Sequence, residues 1–234
     1  SCYELNDTVM GMLKVYDPAI ANKVQYSVAK QALKRICGII DSLQEIINEV
    51  SEKLTVASAI PCFKHSNEAK CHPLKFSDLE AKFVHEMPFF EGQNQEAIEF
   101  ITSNCDVQLY DKSYLLYEED KVSDFCAILY EGAIQYSMQE GIDAIKKLGI
   151  TGPGNLVGCW PLVNNHKNLT NLIVREKATI LKIPIKLLDE VKTKFTPLWY
   201  HFHEQAYIEV VKFLQFINRQ LIRIDSEYHD VLGR

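Results

Sequence analysis

Apolar residues recur at steps of three to five positions between residues 17 and 55, which places them on one stripe of a predicted helix. Asp17 can accept hydrogen bonds from the first free N–H groups of this helix, and Pro18 suits its first position. Gly38 lowers the helix propensity in the middle of this segment. Such a stripe needs a packing surface, in this chain or in a partner. Its members are Ile20, Val24, Val28, Leu33, Ile36, Ile40, Leu43, Ile47, Val50 and Leu54.

The hydrophobic pattern changes twice in the middle of the chain. Residues 57–75 are typical of a connector, and residues 77–103 are predicted to be helical with a break at Pro88. From residue 105, short apolar runs alternate with turn residues, which favours a small antiparallel β unit, a barrel or a sandwich. The predicted strands are Val107–Tyr110, Tyr114–Tyr117, Phe125–Leu129, Ala133–Ser137, Leu172–Arg175 and Thr179–Ile183, and the predicted turns between them include Gly132 and Gly149.

The helical period returns after residue 185, and Thr196-Pro197 begins a long helix that is predicted to continue to about residue 226. The apolar members of this helix are Trp199, Phe202, Ala206, Val210, Phe213, Ile217, Leu221 and Ile224. The order along the chain is therefore helices, a β unit and helices again, which predicts an α+β fold.

Composition narrows the class of protein. The chain has 234 residues, 47% of them hydrophobic and 24% charged, which excludes disordered and low-complexity classes. A net charge of -6 disfavours general nucleic-acid binding, which needs a basic surface. No apolar run approaches the roughly 18 residues of a membrane-spanning helix. Seven irregularly spaced cysteines fit reduced thiols in the cytosol, and the opening residues suggest a fragment of a larger protein.

Three stretches of the predicted β unit carry a set of motifs. The first covers residues 111–120 and 124–134, the second runs from Leu148 to Leu162, and the third runs from Ala178 to Val191, with Pro184 between its strand and the following helix. In this order and at this spacing, over about residues 83–192, the sequence resembles the cyclic-nucleotide-binding domain family. The resemblance implies an antiparallel β-roll flanked by N-terminal and C-terminal helices.

The resemblance also implies a phosphate cassette. In the family, N–H groups at the start of a short helix, an arginine and a glutamate bind the cyclic nucleotide. Gly158 and Leu162 match the family pattern, whereas Cys159 stands at the glutamate position and Asn168 at the arginine position. Pro161 removes one N–H group. The predicted pocket residues are Gly158, Cys159, Trp160, Leu162, Lys167, Asn168, Leu169 and Thr170.

These replacements predict a degenerate pocket. Each lost charge-assisted hydrogen bond costs about 1.5–3 kcal/mol, so the loss of two reduces a micromolar site to a millimolar one. Lys167 lies one residue from the arginine position and could supply a point charge. We therefore expect no bound cofactor, and cyclic AMP or cyclic GMP binding is disfavoured. The alternative is a functional cyclic AMP or cyclic GMP sensor of an exchanger or of a voltage-gated-type cation channel.

The flanking segments suggest the larger protein. Residues 10–33 resemble the linker that follows the membrane region of sperm-type sodium/hydrogen exchangers, and residues 197–206 resemble the stretch after their nucleotide domain. This resemblance implies a cytosolic regulatory region of a multi-pass sodium/proton antiporter, at the cytoplasmic face of the plasma membrane, that acts in ion transport and pH regulation. The implied partners are the remainder of the exchanger and a second copy, with no nucleic acid and no membrane span in this segment.

Domain boundaries follow from these assignments. Residues 1–56 are a predicted helical coupling region, 57–76 a connector, 77–192 the β-roll domain and 193–234 a C-terminal helical region. No residue lies in a recognisable catalytic context, so we expect no enzymatic activity. A zinc site is the remaining alternative, although its ligand spacing matches no standard module. Its candidate ligands are Cys62, His65, Cys71 and His72.

Overall fold

A computed structural model of the chain describes residues 7–53, 66, 68–75, 79, 87–140, 144–163 and 167–232. An antiparallel sheet with flanking helices makes up this part of the chain, which confirms the predicted α+β fold. The helices are α1 (Asp7–Tyr16), α2 (Pro18–Lys53), α3 (Gln95–Asn104), α4 (Ile185–Lys194) and α5 (Thr196–Leu232). The strands are β1 (Cys71–Leu74), β2 (Asp106–Tyr110), β3 (Leu115–Tyr117), β4 (Phe125–Glu140), β5 (Ala144–Thr151), β6 (Leu156–Val157) and β7 (Asn171–Pro184).

The sheet is organised around two long strands. Its order is β1-β2-β7-β4-β5, with β3 added to β7 and β6 added to β4, and every pair is antiparallel. Strands β4 and β7 pair from Phe125 opposite Pro184 to Ser137 opposite Asn171, with several shifts of register along the way. These irregularities bend the long strands, so that one sheet can curl around its own core.

Gly132 lies at one of these irregularities. The predicted turn between two strands at Gly132 is wrong, because β4 continues through this residue. Its φ of 93° belongs to the left-handed region, and a Cβ atom there would lie 2.4 Å from the carbonyl oxygen of Lys177. In the sequence, such a glycine gives the same signal as a turn. In the structure, it allows a bulge in β4 and a close approach of β4 to β7.

Other boundaries also differ from the sequence expectations. Gly149 lies inside β5, which was not predicted, and β1 lies inside the predicted connector. Two predicted strands, Leu172–Arg175 and Thr179–Ile183, are parts of the single strand β7. Helix α1 lies inside the predicted helical coupling region, for which only the helix from residue 17 was given bounds. The predicted helical turns between residues 77 and 87 fall mainly outside the described residues, and the division into domains stays a prediction.

Two apolar clusters hold these elements together. The first fills the inside of the sheet and includes Tyr117, Leu129 and Val174. The second joins the sheet to the helices, where Ile36 of α2 and Phe202 of α5 are both fully buried. The apolar stripe of α2 therefore finds its packing surface on α5, within the chain itself.

The stripe of α2 is not buried along its whole length. Ile20 is 46% exposed and Val28 is 55% exposed, whereas Ala21 and Ala29 are buried, so the packed face of the first turns is offset from the predicted stripe. None of the helices in the described ranges is both long enough and apolar enough to cross a bilayer.

Candidate functional site

The predicted phosphate cassette follows β6. This short strand pairs with β4 through Ala127 opposite Val157, which fixes the start of the cassette against the sheet. Gly158 then turns the chain with a φ of 67°, and a 3-10 turn spans Trp160–Leu162. The described chain resumes at Lys167 and enters β7, so the two ends of the cassette lead into strands β6 and β7, which both pair with β4.

A tyrosine ring occupies the space beside Gly158. A Cβ atom at this glycine would lie 2.1 Å from Cζ of Tyr117, so the ring rests directly on the glycine. The Tyr117 hydroxyl donates to the carbonyl oxygen of Phe125 at 3.3 Å, and the two rings stack at 4.8 Å. Burial raises the pKa of Tyr117 well above its usual value, so the phenol stays neutral.

Cys159, at the family's glutamate position, faces helix α5. It is 4% exposed, and its thiol donates to the carbonyl oxygen of Ala206 at 3.8 Å. Burial, followed by the nearby charge of Glu209, raises the pKa of the Cys159 thiol. The side chain is therefore a protonated, inward-facing group with no charge to offer a ribose hydroxyl.

The rest of the 3-10 turn is covered by α5. Trp160 is 2% exposed and meets Phe213 of α5 edge to face, with ring centroids 5.5 Å apart. Phe213 also lies 5.4 Å from the ring of Tyr136 in β4. Leu162 is buried as well. The cassette therefore packs as part of the core between the sheet and the C-terminal helix.

Asn168, at the family's arginine position, is 1% exposed and bonds to the loop between β3 and β4. Its Nδ2 donates to the carbonyl oxygen of Glu118 at 2.9 Å and lies 3.0 Å from Oγ of Ser123, which is 3.1 Å from Asn168 Oδ1. Its backbone N–H donates to the carbonyl oxygen of Lys121, and its carbonyl oxygen accepts from the backbone N–H of Asp120. The side-chain amide of Asn168 therefore directs its hydrogen bonds to the loop between β3 and β4 and holds this loop in place.

The remaining predicted pocket residues have three different environments. Lys167 is exposed, and Leu169 is half-buried against the core. Thr170 is fully buried, and its hydroxyl has no hydrogen-bond partner in the described part of the chain. The structure therefore brings Gly158, Cys159 and Thr170 into the buried interior and leaves Lys167 at the surface.

Two residues of the site were missed by the sequence analysis. Tyr117 and Ser123 lie on β3 and on the loop after it, more than 30 positions before the cassette. For Tyr117, the only sequence signal is Gly158, because a residue without a side chain leaves room for an aromatic ring. For Ser123 we find no local signal, since its pairing with Asn168 depends on the sheet register.

The zinc alternative receives no support from the described residues. Cys62 and His65 lie outside them, Cys71 is exposed, and Nε2 of His72 lies 3.6 Å from a carboxylate oxygen of Asp111. Among the described residues, no group of three or more histidine, cysteine or acidic side chains is close enough to bind a metal ion.

His203 of α5 is a half-buried titratable group outside the cassette. Burial, followed by the charge of Lys192, lowers the pKa of His203 to about 4. Unfolded histidine titrates near 6.5, so the unfolded chain binds this proton first as the pH falls. Neutral His203 therefore makes its full contribution to stability above about pH 6.5. This contribution is lost as the pH falls toward 4, which lowers the free energy of unfolding by about 3 kcal/mol.

We therefore expect the His203→Gln variant to lose less stability than the parent between pH 7 and pH 4.5, measured by urea denaturation at each pH. His72→Gln is the control for the loss of a histidine outside α5, because His72 is exposed. Identical pH slopes for the parent and His203→Gln would show that His203 does not cause the acid sensitivity.

Comparison with known proteins identifies the fold. No family model matches the sequence, and no curated protein matches it. Among solved structures, the c-di-GMP responsive global regulator CLP of Xanthomonas campestris aligns with a TM-score of 0.50 and 17% identity, over 56% of this chain and 64% of that one. A putative cyclic nucleotide-binding protein from Geobacter metallireducens gives 0.49 and 13%, over 57% and 97%. A cyclic nucleotide-binding domain from Methylobacillus flagellatus gives 0.46 and 12%, over 68% and 86%.

At this level of identity the likeness concerns the fold alone. The resemblance drawn from the three motif stretches is confirmed to that extent, whereas the resemblance to sodium/hydrogen exchangers stays a prediction.

Proposed function

We propose that this chain, which has the fold of cyclic-nucleotide-binding domains, is a non-catalytic regulatory module that works without a cyclic nucleotide. The observation that carries the proposal is the environment of Asn168. At the position where the family has an arginine, a neutral amide is buried and bonded to Glu118 and Ser123. It therefore offers neither a positive charge nor a free donor to a phosphate.

Electrostatics supports the same conclusion. A cyclic phosphate carries one negative charge and must lose water in a pocket, which is costly without a countercharge. Among the described cassette residues, 158–163 and 167–170, the only cation is Lys167, and it is exposed. A solvated ammonium group restores little of the lost affinity. The pocket is degenerate in this proposal, and its space is used by side chains of the chain.

Direct packing would then replace ligand-mediated coupling. Cys159 and Trp160 contact α5 through Ala206 and Phe213, so the cassette and the C-terminal helix move together. The same helix packs along α2. A displacement of either helix is thereby transmitted to the sheet without a small molecule between them.

The larger protein in this proposal is a sodium/proton antiporter of the plasma membrane, with this module on its cytoplasmic face. The support is the resemblance of residues 10–33 and 197–206 to exchanger linkers. The remainder of the exchanger and a second copy of the chain would be its partners. The test is sodium-dependent recovery of internal pH in cells that express the full-length protein, and it fails if no such recovery is found.

We expect calorimetric titration with cyclic AMP and cyclic GMP to give no binding tighter than about 1 mM, because both charged contacts are missing. A dissociation constant below about 10 μM would overturn the proposal and favour the sensor alternative. Lys167→Gln is the informative variant, since a sensor that uses Lys167 as its cation would lose affinity in it. Lys177→Gln, an exposed lysine outside the cassette, serves as its control.

One observation favours that sensor alternative. Thr170 is fully buried, follows the cassette directly, and has a hydroxyl without a hydrogen-bond partner among the described residues. An unpaired buried hydroxyl costs free energy that a ligand acceptor could recover. The titration of the parent with cyclic AMP and cyclic GMP therefore distinguishes the two functions.

A further inference from the structure

A second cavity, separate from the cassette, lies between the sheet and α5. Its volume is about 260 Å³, below the roughly 300–1,000 Å³ of pockets that bind drug-sized ligands. We call it the aromatic cavity, because three aromatic rings line it together with one acidic and one basic side chain. These five residues are Tyr136, Phe213, Phe216, Glu209 and Lys212.

The sequence builds the aromatic walls from two elements. Phe213 and Phe216 lie on one face of α5, and Tyr136 of β4 lies opposite Gly149 of β5 in the sheet register. A Cβ atom at Gly149 would lie 2.6 Å from Cζ of Phe216, so the missing side chain lets this ring reach the strand. The rings of Tyr136 and Phe213 are 5.4 Å apart.

The acidic side chain gives the aromatic cavity its charge preference. The Glu209 side chain is only 11% exposed, whereas Lys212, whose Nζ lies 2.7 Å from Glu209 Oε1, is 56% exposed. After burial, the Glu209 charge is the next largest cause that raises the pKa of Tyr136. The carboxylate is therefore held among the rings, and its present partner is a solvated, replaceable ammonium group.

We propose that the aromatic cavity binds the quaternary ammonium group of a small ligand. Aromatic rings attract such a cation, which has no N–H group and therefore needs no hydrogen-bond acceptor. Glu209 supplies the countercharge, and the ligand takes the place of the Lys212 ammonium beside it. A volume of about 260 Å³ has room for such a head group.

This proposal does not depend on the one above. The residues that line the aromatic cavity do not include Gly158, Cys159 or Asn168. The two sites share one contact, because Phe213 lines the aromatic cavity and packs on Trp160 of the cassette. Choline and cyclic nucleotides are titrated separately, so either proposal can fail while the other holds.

The experiment is a titration of the full chain with choline, followed by protein NMR, with 3,3-dimethyl-1-butanol as the uncharged analogue of the same shape. We expect a dissociation constant of about 1 mM for choline and no saturable binding of the alcohol. Lys212→Met should tighten choline binding about two- to threefold, because it frees the carboxylate from its ion pair. Glu209→Gln should weaken it at least about tenfold.

The matched control is the Glu190→Gln and Lys194→Met pair, which removes an exposed ion pair on α4 and should leave choline binding unchanged. Circular dichroism verifies that each variant is folded. The proposal is overturned if choline does not saturate the parent and the Lys212→Met variant at about 50 mM, if the alcohol binds as well as choline, or if Glu209→Gln binds choline with the parent's affinity.

Discussion

Replacing Gly158 by alanine should destabilise the chain by about 3–5 kcal/mol, a large fraction of the roughly 5–15 kcal/mol stability of a typical folded domain. The added Cβ atom would lie 2.1 Å from Cζ of Tyr117, and the φ of 67° is unfavourable for any residue with a side chain. Urea denaturation followed by circular dichroism measures the effect. Gly152→Ala is the control, because nothing lies within 4 Å of its Cβ position, and it should change stability by less than about 1 kcal/mol.

A double variant tests the cause of this loss. Tyr117→Leu removes the atoms that clash with a Cβ atom at position 158, so Gly158→Ala should cost less in that background. The φ strain remains, and the rescue is therefore partial. If Gly158→Ala costs the same with and without Tyr117, the ring does not occupy the space that we assign to it.

The Asn168→Arg variant restores the family's arginine and should still not bind cyclic AMP. The larger, charged side chain would replace a buried amide that bonds to Glu118 and Ser123, at a cost of about 2–4 kcal/mol. Denaturation gives the stability, and calorimetry with cyclic AMP gives the affinity. Lys167→Arg, at the exposed neighbouring position, should leave the stability within about 0.5 kcal/mol of the parent.

The opposite result would be equally informative. If Asn168→Arg keeps the parent's stability and binds cyclic AMP with micromolar affinity, a missing guanidinium is the sole defect of the cassette. The loop between β3 and β4 would then fold without the Asn168 amide. The loss of nucleotide binding would be explained by a single substitution, and not by a degenerate pocket.

The sequence predicted the fold well where its periodicity is long. The stripe of α2 and the apolar face of α5 repeat over many turns, so both helices were recognised, and the motif order predicted the roll. Gly132 was assigned wrongly, because a turn and a bulge require the same backbone freedom. The choice between them depends on how closely β4 and β7 approach, which is a tertiary property.

The candidate site was predictable only in part. Counting along the motifs located Cys159 and Asn168 at the positions of the missing charges. Their present partners were not predictable, because Ala206 lies 47 positions after Cys159 and Ser123 lies 45 positions before Asn168. Such contacts depend on strand register and helix docking, which local pattern does not encode.

Helix α5 runs for 37 residues without a break, so at 1.5 Å per residue it is about 55 Å long. Its contacts with the cassette, at Ala206 and Phe213, lie in its first half. The helix can therefore pivot about a point between its first third and its middle. The distal end lies about 30–40 Å beyond these contacts, so a tilt of about 5° at the cassette moves it by about 3 Å, and a sub-ångström repacking at the roll becomes a displacement of a few ångströms.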